Sequence, residues 1–176
     1  MFVLYEFITN YCVLSPTQVG TGIWEWKVLL TIAVHQDKIV AYSFLCKGET
    51  MDTEKYIKFL NESLKPYIEN NVETPIILQD NASPHTNVRT VAYLFEEGWE
   101  LLNHPAYSPD LNPCDSEIIA KIKKPLKGKR FANPDEAMTA AADSIWALNN
   151  NFSLTGTSNL PGRWQQVVDN NGQYII

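Results

Sequence analysis

The stretch PIILQDNASPHT, residues 75–86, joins a short apolar run to a polar turn. Apolar runs of this length, bounded by turn-forming residues, are typical of strands buried in a sheet. The run ends at Asp80, which places a carboxylate at the end of the predicted strand. Taken alone, this residue is equally well explained by the turn itself, because Asp favours turns.

A second carboxylate, Asp115, ends the stretch YSPDLNPCD, residues 107–115, with 34 residues between it and Asp80. Asn112, Pro113 and Asp115 together indicate a helix start of the capping-box type. Asp115 could serve that cap alone. A carboxylate at a strand end and another at a helix start can also converge on one divalent cation, and hard oxygen ligands suit Mg²⁺ or Mn²⁺ and phosphate chemistry.

The residues around both carboxylates resemble the catalytic domain of mariner-type transposases, which belong to the DDE/D superfamily. The resemblance lies in Asp80-Asn81-Ala82 with His85, in residues 107–111 before Asp115, and in the interval between the two aspartates. Further matching motifs are LCKGET at residues 45–50, GKRF at residues 128–131 and RWQQVVDNNGQY at residues 163–174. The resemblance covers nearly all of the chain. One departure is that Asn112-Pro113 is typical of a sister group.

The resemblance implies an α/β fold of the RNase H-like type, a mixed β-sheet flanked by helices, formed by residues 1–176 as a single domain. It also implies an enzyme that cuts and rejoins DNA at transposon ends with two metal ions, Mg²⁺ or Mn²⁺. Asp80 and Asp115 are the implied catalytic and metal-binding residues. DNA as the partner, a homodimer and a nuclear site of action follow from the resemblance. The resemblance implies neither a membrane partner nor a small-molecule substrate.

Two further residues are expected to support these carboxylates. Carboxylates that bind metal need hydrogen-bonding partners around them, and His85 and Asn81 lie close to Asp80 in the sequence. His85 could instead simply begin the helix that follows. We interpret His104, which has no comparable context, as structural.

The family uses three acidic residues, and the first of them opens the first strand as Asp-Glu. The matching apolar run here is MFVLY, residues 1–5, so the expected Asp would precede Met1. Glu6 lies about seven strand residues beyond that position, over ~20 Å away, and cannot replace it. We therefore expect a catalytic-core fragment that lacks the start of its first strand and any helix-turn-helix DNA-binding domain, and that is inactive as given.

Two other functions remain open. One is a non-catalytic, domesticated module that keeps the fold and binds DNA or protein. The other is a different RNase H-like nuclease with another first carboxylate. An in-frame Asp-Glu in the coding sequence upstream would favour the transposase.

Charge is distributed unevenly along the chain. The net charge of −6 and the pI near 5.0 argue against a protein that coats nucleic acid through bulk charge. Six cations nevertheless crowd into ten residues after Asp115. They are Lys121, Lys123, Lys124, Lys127, Lys129 and Arg130. Such runs are commonly solvated helix faces, but their position beside the candidate site favours contact with DNA phosphates.

The remaining patterns agree with the implied fold. Strands are predicted at residues 2–8, 27–34, 39–46 and 99–103, besides the one that ends at Asp80, with a turn at residues 36–38 and a loop at residues 15–22. Helices are predicted from Asp52 through Ile68, from Asn87 to Glu97, from Asn112 and from Asp135 to Leu148, and Pro66 should kink or shorten the first. Strands followed by alternating helices and strands indicate a mixed sheet with helices on its faces. The three cysteines show no zinc-binding pattern.

Overall fold

The computed structural model describes residues 11–14, 28–46, 49–106, 108–151 and 153–172. The predicted strand at residues 2–8 and the predicted loop at residues 15–22 lie outside these ranges.

The described strands form two hydrogen-bonded groups. They are β1 (Tyr11–Leu14), β2 (Val28–His35), β3 (Lys38–Leu45), β4 (Ile76–Leu78) and β5 (Glu100–Leu102). The first group is antiparallel, in the order β1-β2-β3, and the second is the parallel pair β4-β5. The sequence pattern did not indicate β1. Antiparallel and parallel strands thus occur together, as predicted for a mixed α/β fold.

Seven α-helices lie in the described part of the chain. They are α1 (Thr53–Phe59), α2 (Lys65–Asn71), α3 (Ser83–Thr86), α4 (Val88–Glu96), α5 (Ile119–Lys123), α6 (Pro134–Asn150) and α7 (Leu160–Asp169). Two π-helical segments, Leu60–Leu64 and Cys114–Ile118, and two 3₁₀ segments, Pro109–Leu111 and Lys124–Leu126, adjoin them. None of the helices described is long and apolar enough to cross a membrane.

The β2–β3 hairpin is the element that the sequence predicts best. Every residue of β2 is buried, as its continuous apolar run indicates. Gln36 and Asp37 form the two-residue turn, with φ angles of 48° and 60°. Such left-handed pairs match the twist of a hairpin. The Asp37 carboxylate also accepts hydrogen bonds from the backbone N–H groups of Thr157 and Ser158, at 2.8 and 3.1 Å, which joins the turn to the C-terminal part of the chain.

Helices cover both faces of β2. Leu30, Ile32 and Val34 share one apolar cluster with residues of α5, α6 and α7. Ala33, on the other face, belongs to a second cluster with residues of α1, α2 and α4. The alternation of side chains along a strand divides the core in this way.

The first helical region continues past Pro66 instead of ending there. Asp52 caps α1 as predicted, because its side chain accepts a hydrogen bond from the N–H of Lys55. At Lys65 the N–H bonds to the carbonyl of Leu60, five residues back, so the turn before Pro66 is of the π type. Proline has no N–H to donate and fits the first turn of α2. The predicted interruption is therefore a change of helix type.

The elements after α2 place the candidate site. Strand β4 ends two residues before Asp80, and the predicted helix from Asn87 is α4, which ends before Gly98 at φ +73°. The short helix α3 between them was not predicted. Helix α6 begins at Pro134, one residue before the predicted start at Asp135, and Asn133 is its N-cap.

Candidate functional site

Asp80 follows β4 and is held by the turn into α3. Its Oδ1 atom accepts hydrogen bonds from the N–H of Ala82, at 3.0 Å, and from Nδ1 of His85, at 2.6 Å. The turn formation expected of an Asp at a strand end therefore occurs, but it uses only one carboxylate oxygen. No hydrogen bond within the described residues engages the other oxygen, Oδ2.

His85 is fully buried and is fixed on several sides. Its ring centroid lies 4.4 Å from that of Tyr56. The Tyr56 hydroxyl donates to Oε1 of Gln79 at 2.5 Å, and Nε2 of Gln79 donates to the carbonyl of His85 at 3.1 Å. Among the described residues the Nε2 atom of His85 has no hydrogen-bond partner. A chain of contacts thus runs from α1 to the Asp80 carboxylate.

This environment changes the acidity of Asp80. Burial of the carboxylate raises its pKa, whereas the hydrogen bond to His85, the interaction with the His85 charge and the N–H of Ala82 lower it. The lowering effects prevail, so the pKa of Asp80 lies below its ordinary value. Asp80 is therefore an ionised carboxylate at neutral pH, the form in which Asp binds a metal.

Asp115 lies in the π-helical segment Cys114–Ile118, and this segment begins directly after Pro113. Its Oδ2 atom accepts a hydrogen bond of 2.7 Å from the side-chain amide of Asn112, whose Oδ1 accepts the N–H of Cys114 at 2.9 Å. Asn112 thus caps the helix start as predicted. The reciprocal half of the predicted capping box is wrong, because Asp115 bonds to the side chain of Asn112 and not to its backbone N–H. The π-helical turn was not foreseen, although such turns are frequent at functional sites.

Burial acts on Asp115 without a cation to offset it. Desolvation raises the pKa of this carboxyl to about 6. The two aspartates therefore differ in acidity, since Asp80 has a partner in His85 whereas, among the described residues, Asp115 has only the neutral amide of Asn112. Oδ1 of Asp115 has no hydrogen bond within the described residues.

Asp80 and Asp115 line the same cleft, which has a volume of about 410 Å³. The other lining residues are Asn81, Ala82, His104, Pro105, Ala106, Ser108 and Pro109. The structure thus places two aspartates from different elements in the lining of one cleft. Asn81 lies in the cleft as well, but its side-chain amide donates to the carbonyl of His104 at 3.0 Å.

His104 is a cleft residue that the sequence interpretation missed. It lines this cleft and a smaller adjoining one of about 150 Å³ that also contains Asp80. Burial lowers the pKa of His104, while Asp80, Asp110 and a hydrogen bond to the Ser108 backbone act in the opposite direction. Its position between β5 and the 107–115 motif was the available signal.

The donor set of the cleft partly fits a divalent cation. Asp80 and Asp115 each offer one carboxylate oxygen that is free of hydrogen bonds within the described residues, and Mg²⁺ or Mn²⁺ prefers such oxygens. No group of three His, Cys, Asp or Glu side chains suited to a metal occurs in the part of the chain that the structure describes. Asp80 and Asp115 could thus each supply one carboxylate oxygen to a metal ion in this cleft.

A second set of contacts fastens the Asp115 segment from the C-terminal side. Glu117 accepts hydrogen bonds from the N–H and hydroxyl of Thr155, each at 3.2 Å, and from the ammonium group of Lys121. At Gly156 an added Cβ would lie 2.6 Å from Oε2 of Glu117 and 2.7 Å from Cβ of Pro113. Only glycine therefore allows this approach. We refer to Glu117, Thr155 and Gly156 as the Glu117 clasp.

The basic segment is not uniform. Lys121 is bound to Glu117 and to the carbonyl of Ser153, and Lys123 is half-buried. The remaining four cations are exposed. They are Lys124, Lys127, Lys129 and Arg130. Lys121, Lys124 and Lys129 border a separate groove of about 770 Å³ against α6, and none of the six lines the cleft of Asp80.

The fold defines an RNase H-like α/β domain, and its cleft is lined by the two acidic residues Asp80 and Asp115. The chain belongs to the DDE superfamily endonucleases, whose family pattern matches residues 15–139, and within them it is a catalytic domain of the mariner transposase type.

Two curated relatives are similar to this chain in sequence. The chain is 38% identical over 155 residues to human histone-lysine N-methyltransferase SETMAR, and 32% identical over 156 residues to the Mariner Mos1 transposase of Drosophila mauritiana. Each alignment covers 85% of this chain, but only 22% and 45% of the relatives. The chain therefore spans less than half the length of either relative.

Two solved structures show the same fold. The crystal structure of the catalytic domain of Mos1 mariner transposase is 26% identical, with a TM-score of 0.78, over 98% of this chain and 84% of that one. A Mos1 mariner paired end complex with Mn is 28% identical, with the same TM-score of 0.78, over 99% of this chain and 54% of that one.

Proposed function

We propose that this domain acts on DNA phosphodiester bonds, with Asp80 and Asp115 as two of the carboxylates that hold its divalent metal ions. The observation that carries the proposal is that both aspartates line one cleft, each with an oxygen left free by its neighbours. The family supports it, since its members are endonucleases. The direct distance between the two carboxylates remains a prediction, at roughly 8 Å or less for a shared metal centre.

The protein's own groups have distinct parts in this proposal. His85 holds Oδ1 of Asp80 and keeps that carboxylate ionised, and Asn112 holds Oδ2 of Asp115. Each of these two hydrogen bonds fixes the orientation of one carboxylate, and with it the position of the oxygen that has no hydrogen bond. Asn81 acts more remotely, by tying the loop of His104 to the turn after β4. Bound Mg²⁺ or Mn²⁺ would supply charge stabilisation for the attacking and leaving oxygens of the phosphodiester.

The partners of the domain follow from its relatives. The solved Mos1 paired end complex with Mn supports DNA as the substrate and Mn²⁺ as the metal, and a Mos1 catalytic domain structure with Mg supports Mg²⁺ as the alternative. The two ions are what the family resemblance implies for the intact enzyme. Exposed Lys124, Lys127, Lys129 and Arg130 are the candidates for contact with DNA phosphates. Action on DNA also supports the nucleus as the place of function, and the paired complex supports a homodimer.

The second candidate is a non-catalytic module that keeps the fold and binds DNA or protein. The observation that favours it is the absence of a third metal-binding side chain beside Asp80 and Asp115 within the described residues. The two candidates differ in one measurable property, because only the first requires the aspartates for metal-dependent chemistry.

The deciding experiment combines Mn²⁺ binding with nicking of supercoiled DNA. Calorimetry should detect Mn²⁺ binding that Asp80→Asn and Asp115→Asn each weaken by about tenfold or more, while the exposed control Asp143→Asn leaves it unchanged. If nicking occurs, it should disappear in the same two variants. Mn²⁺ binding that neither variant alters would refute the metal site and favour the second candidate.

A further inference from the structure

One face of helix α4 is buried against the core, and another, apolar face is exposed to solvent. Leu94 faces the core, whereas Val88, Val91 and Phe95 are 79%, 41% and 83% exposed. Together with exposed Ala92 they form the α4 stripe, at the i, i+3, i+4 and i+7 positions of one helix face. Single exposed apolar side chains are common on proteins, but a continuous stripe marks an interaction surface.

The spacing of the α4 stripe is the same when read in either direction along the helix. Its four residues follow one another at intervals of three, one and three positions. Two such helices laid antiparallel, face to face, therefore bring Val88 of each copy over Phe95 of the other. Val91 of each copy then lies over Ala92 of the other. A surface that fits itself in this way forms an isologous, two-fold contact.

The charges beside the α4 stripe are self-complementary too. Arg89 and Glu96 are both exposed, and neither forms an ion pair within the described residues. Seven positions is two helical turns, so both lie along the same edge of the stripe. The antiparallel arrangement places Arg89 of each copy near Glu96 of the other, which makes two intermolecular ion pairs.

These two charges do not serve the helix itself. Arg89 lies in the first turn of α4 and Glu96 in its last turn. The helix dipole favours acidic residues at the first turn and basic residues at the last. Each charge therefore opposes the dipole of its own helix, and a contact with another molecule gives it a compensating partner.

We propose that the α4 stripe binds the α4 stripe of a second copy of this chain, antiparallel and about a two-fold axis. The spacing of the apolar residues and the Arg89–Glu96 pair both favour a second copy of the chain as the binding partner. A DNA backbone fits less well, because the stripe is apolar and Glu96 borders it. Nine helical residues span only about 13 Å, so the contact is far smaller than a permanent interface and the dimer is weak. This interface does not depend on the metal chemistry proposed above.

Sedimentation equilibrium of the full chain tests the proposal over roughly 10 µM to 1 mM protein. We expect a concentration-dependent monomer–dimer equilibrium. Phe95→Ser should raise the dimer Kd by about tenfold or more, because Phe95 is the largest apolar side chain of the stripe and its burial is lost twice in the dimer. The matched control is Val168→Ser, on α7, since Val168 is also 69% exposed but lies outside the stripe. It should leave Kd unchanged.

Charge reversal tests the antiparallel arrangement itself. Arg89→Glu and Glu96→Arg should each raise Kd by roughly tenfold, because each puts like charges opposite one another twice. The double variant Arg89→Glu/Glu96→Arg should restore the parental Kd. Both substitutions suit the helix dipole, and an undiminished Tm would show that folding is intact. A chain that stays monomeric throughout, a dimer indifferent to Phe95→Ser, or single-variant losses that the double variant does not repair would each overturn the proposal.

Discussion

Nδ1 of His85 lies 2.6 Å from Oδ1 of Asp80, and the imidazole that makes this contact is itself completely buried. The orientation of the Asp80 carboxylate is consequently set by a rigid group and not by solvent. Tyr56 and Gln79 hold that group from α1 and from the end of β4. The interior of the protein thus determines which oxygen of Asp80 is available in the cleft.

Replacement of His85 should weaken metal binding, although His85 itself is not a proposed metal ligand. In His85→Ala, Asp80 loses its fixed orientation and the pKa of its carboxyl rises toward the ordinary range. Loss of such a supporting contact typically lowers metal affinity about 10- to 100-fold. Calorimetric titration with Mn²⁺ measures the effect.

His35→Ala is the matched control for His85→Ala. His35 is also buried and bonds to the Tyr67 hydroxyl at 2.8 Å, away from the cleft. Both variants should lose stability, but His35→Ala should retain the parental Mn²⁺ affinity. Equal losses of affinity would show that general destabilisation, and not the contact with Asp80, is responsible.

Ionisation of the Asp115 carboxyl should lower the free energy of unfolding as pH rises from about 4 to about 6. Its pKa of about 6 in the folded state exceeds the ordinary value of 3.8, so the folded state binds the proton more tightly. The stability supplied by the neutral form is present below the ordinary pKa and is lost as pH rises through the folded pKa. Two pKa units correspond to at most about 3 kcal/mol, and partial solvent screening reduces this to about 1–2 kcal/mol.

Asp115→Asn removes that cost and keeps an acceptor for Asn112. It should raise the free energy of unfolding in urea by about 1–2 kcal/mol at pH 7.5, and by less than about 0.5 kcal/mol at pH 4. The exposed residue Asp143 provides the control, because Asp143→Asn should produce no pH-dependent gain. A gain for Asp115→Asn of the same size at both pH values would contradict the assigned role of burial.

Substitution of Gly156 should disturb the Asp115 segment through the Glu117 clasp. The added methyl group of Gly156→Ala meets Oε2 of Glu117 and Cβ of Pro113 at less than 3 Å. Overpacking of this kind costs about 1–3 kcal/mol, and displacement of the segment should also lower Mn²⁺ affinity. Thermal unfolding and calorimetry report the two effects.

Gly162 offers a contrasting glycine. It lies inside α7, and an added Cβ there meets nothing within 4 Å. Gly162→Ala should leave stability unchanged or raise it by up to about 1 kcal/mol, since alanine is the better helix former. Destabilisation of both variants alike would show that the clasp has no special importance.

Exposed lysines after α5 should govern any binding of DNA. Lys124→Glu/Lys127→Glu should weaken binding without regard to DNA sequence and should reduce the slope of log affinity against log salt by about 2. A fluorescence anisotropy series in NaCl measures that slope. Lys38→Glu/Lys58→Glu changes the net charge equally at two exposed sites elsewhere, and should have a smaller effect. DNA affinity that does not change with salt concentration would show that the basic segment is a solvated surface and not a DNA contact.

The sequence predicts those features that are encoded locally. The β2–β3 hairpin, the Asp52 cap and the end of α4 before Gly98 all depend on neighbouring residues, and the structure contains them. The two candidate carboxylates were found through motifs that combine a strand end with a helix start. Their shared cleft agrees with that prediction, whereas their roles stay untested.

Other features depend on contacts between distant parts of the chain. Glu117 meets Thr155 across 38 positions, and no local pattern marks that pair. The change to π geometry before Pro66 and at Asp115 has no established sequence signal, because it reflects how each helix meets its neighbours. His104 also lines the cleft, and the fold brings it beside Asp80.

The Glu117 clasp also determines when the Asp115 segment can be fastened as the chain is made. The residues that fasten the Asp115 segment, Thr155 and Gly156, leave the ribosome long after Asp80 and Asp115 themselves. The turn at Asp37 waits for Thr157 and Ser158 in the same way, across 120 positions or more. A nascent chain arrested before residue 155 therefore carries both aspartates without the contacts that fasten the Asp115 segment.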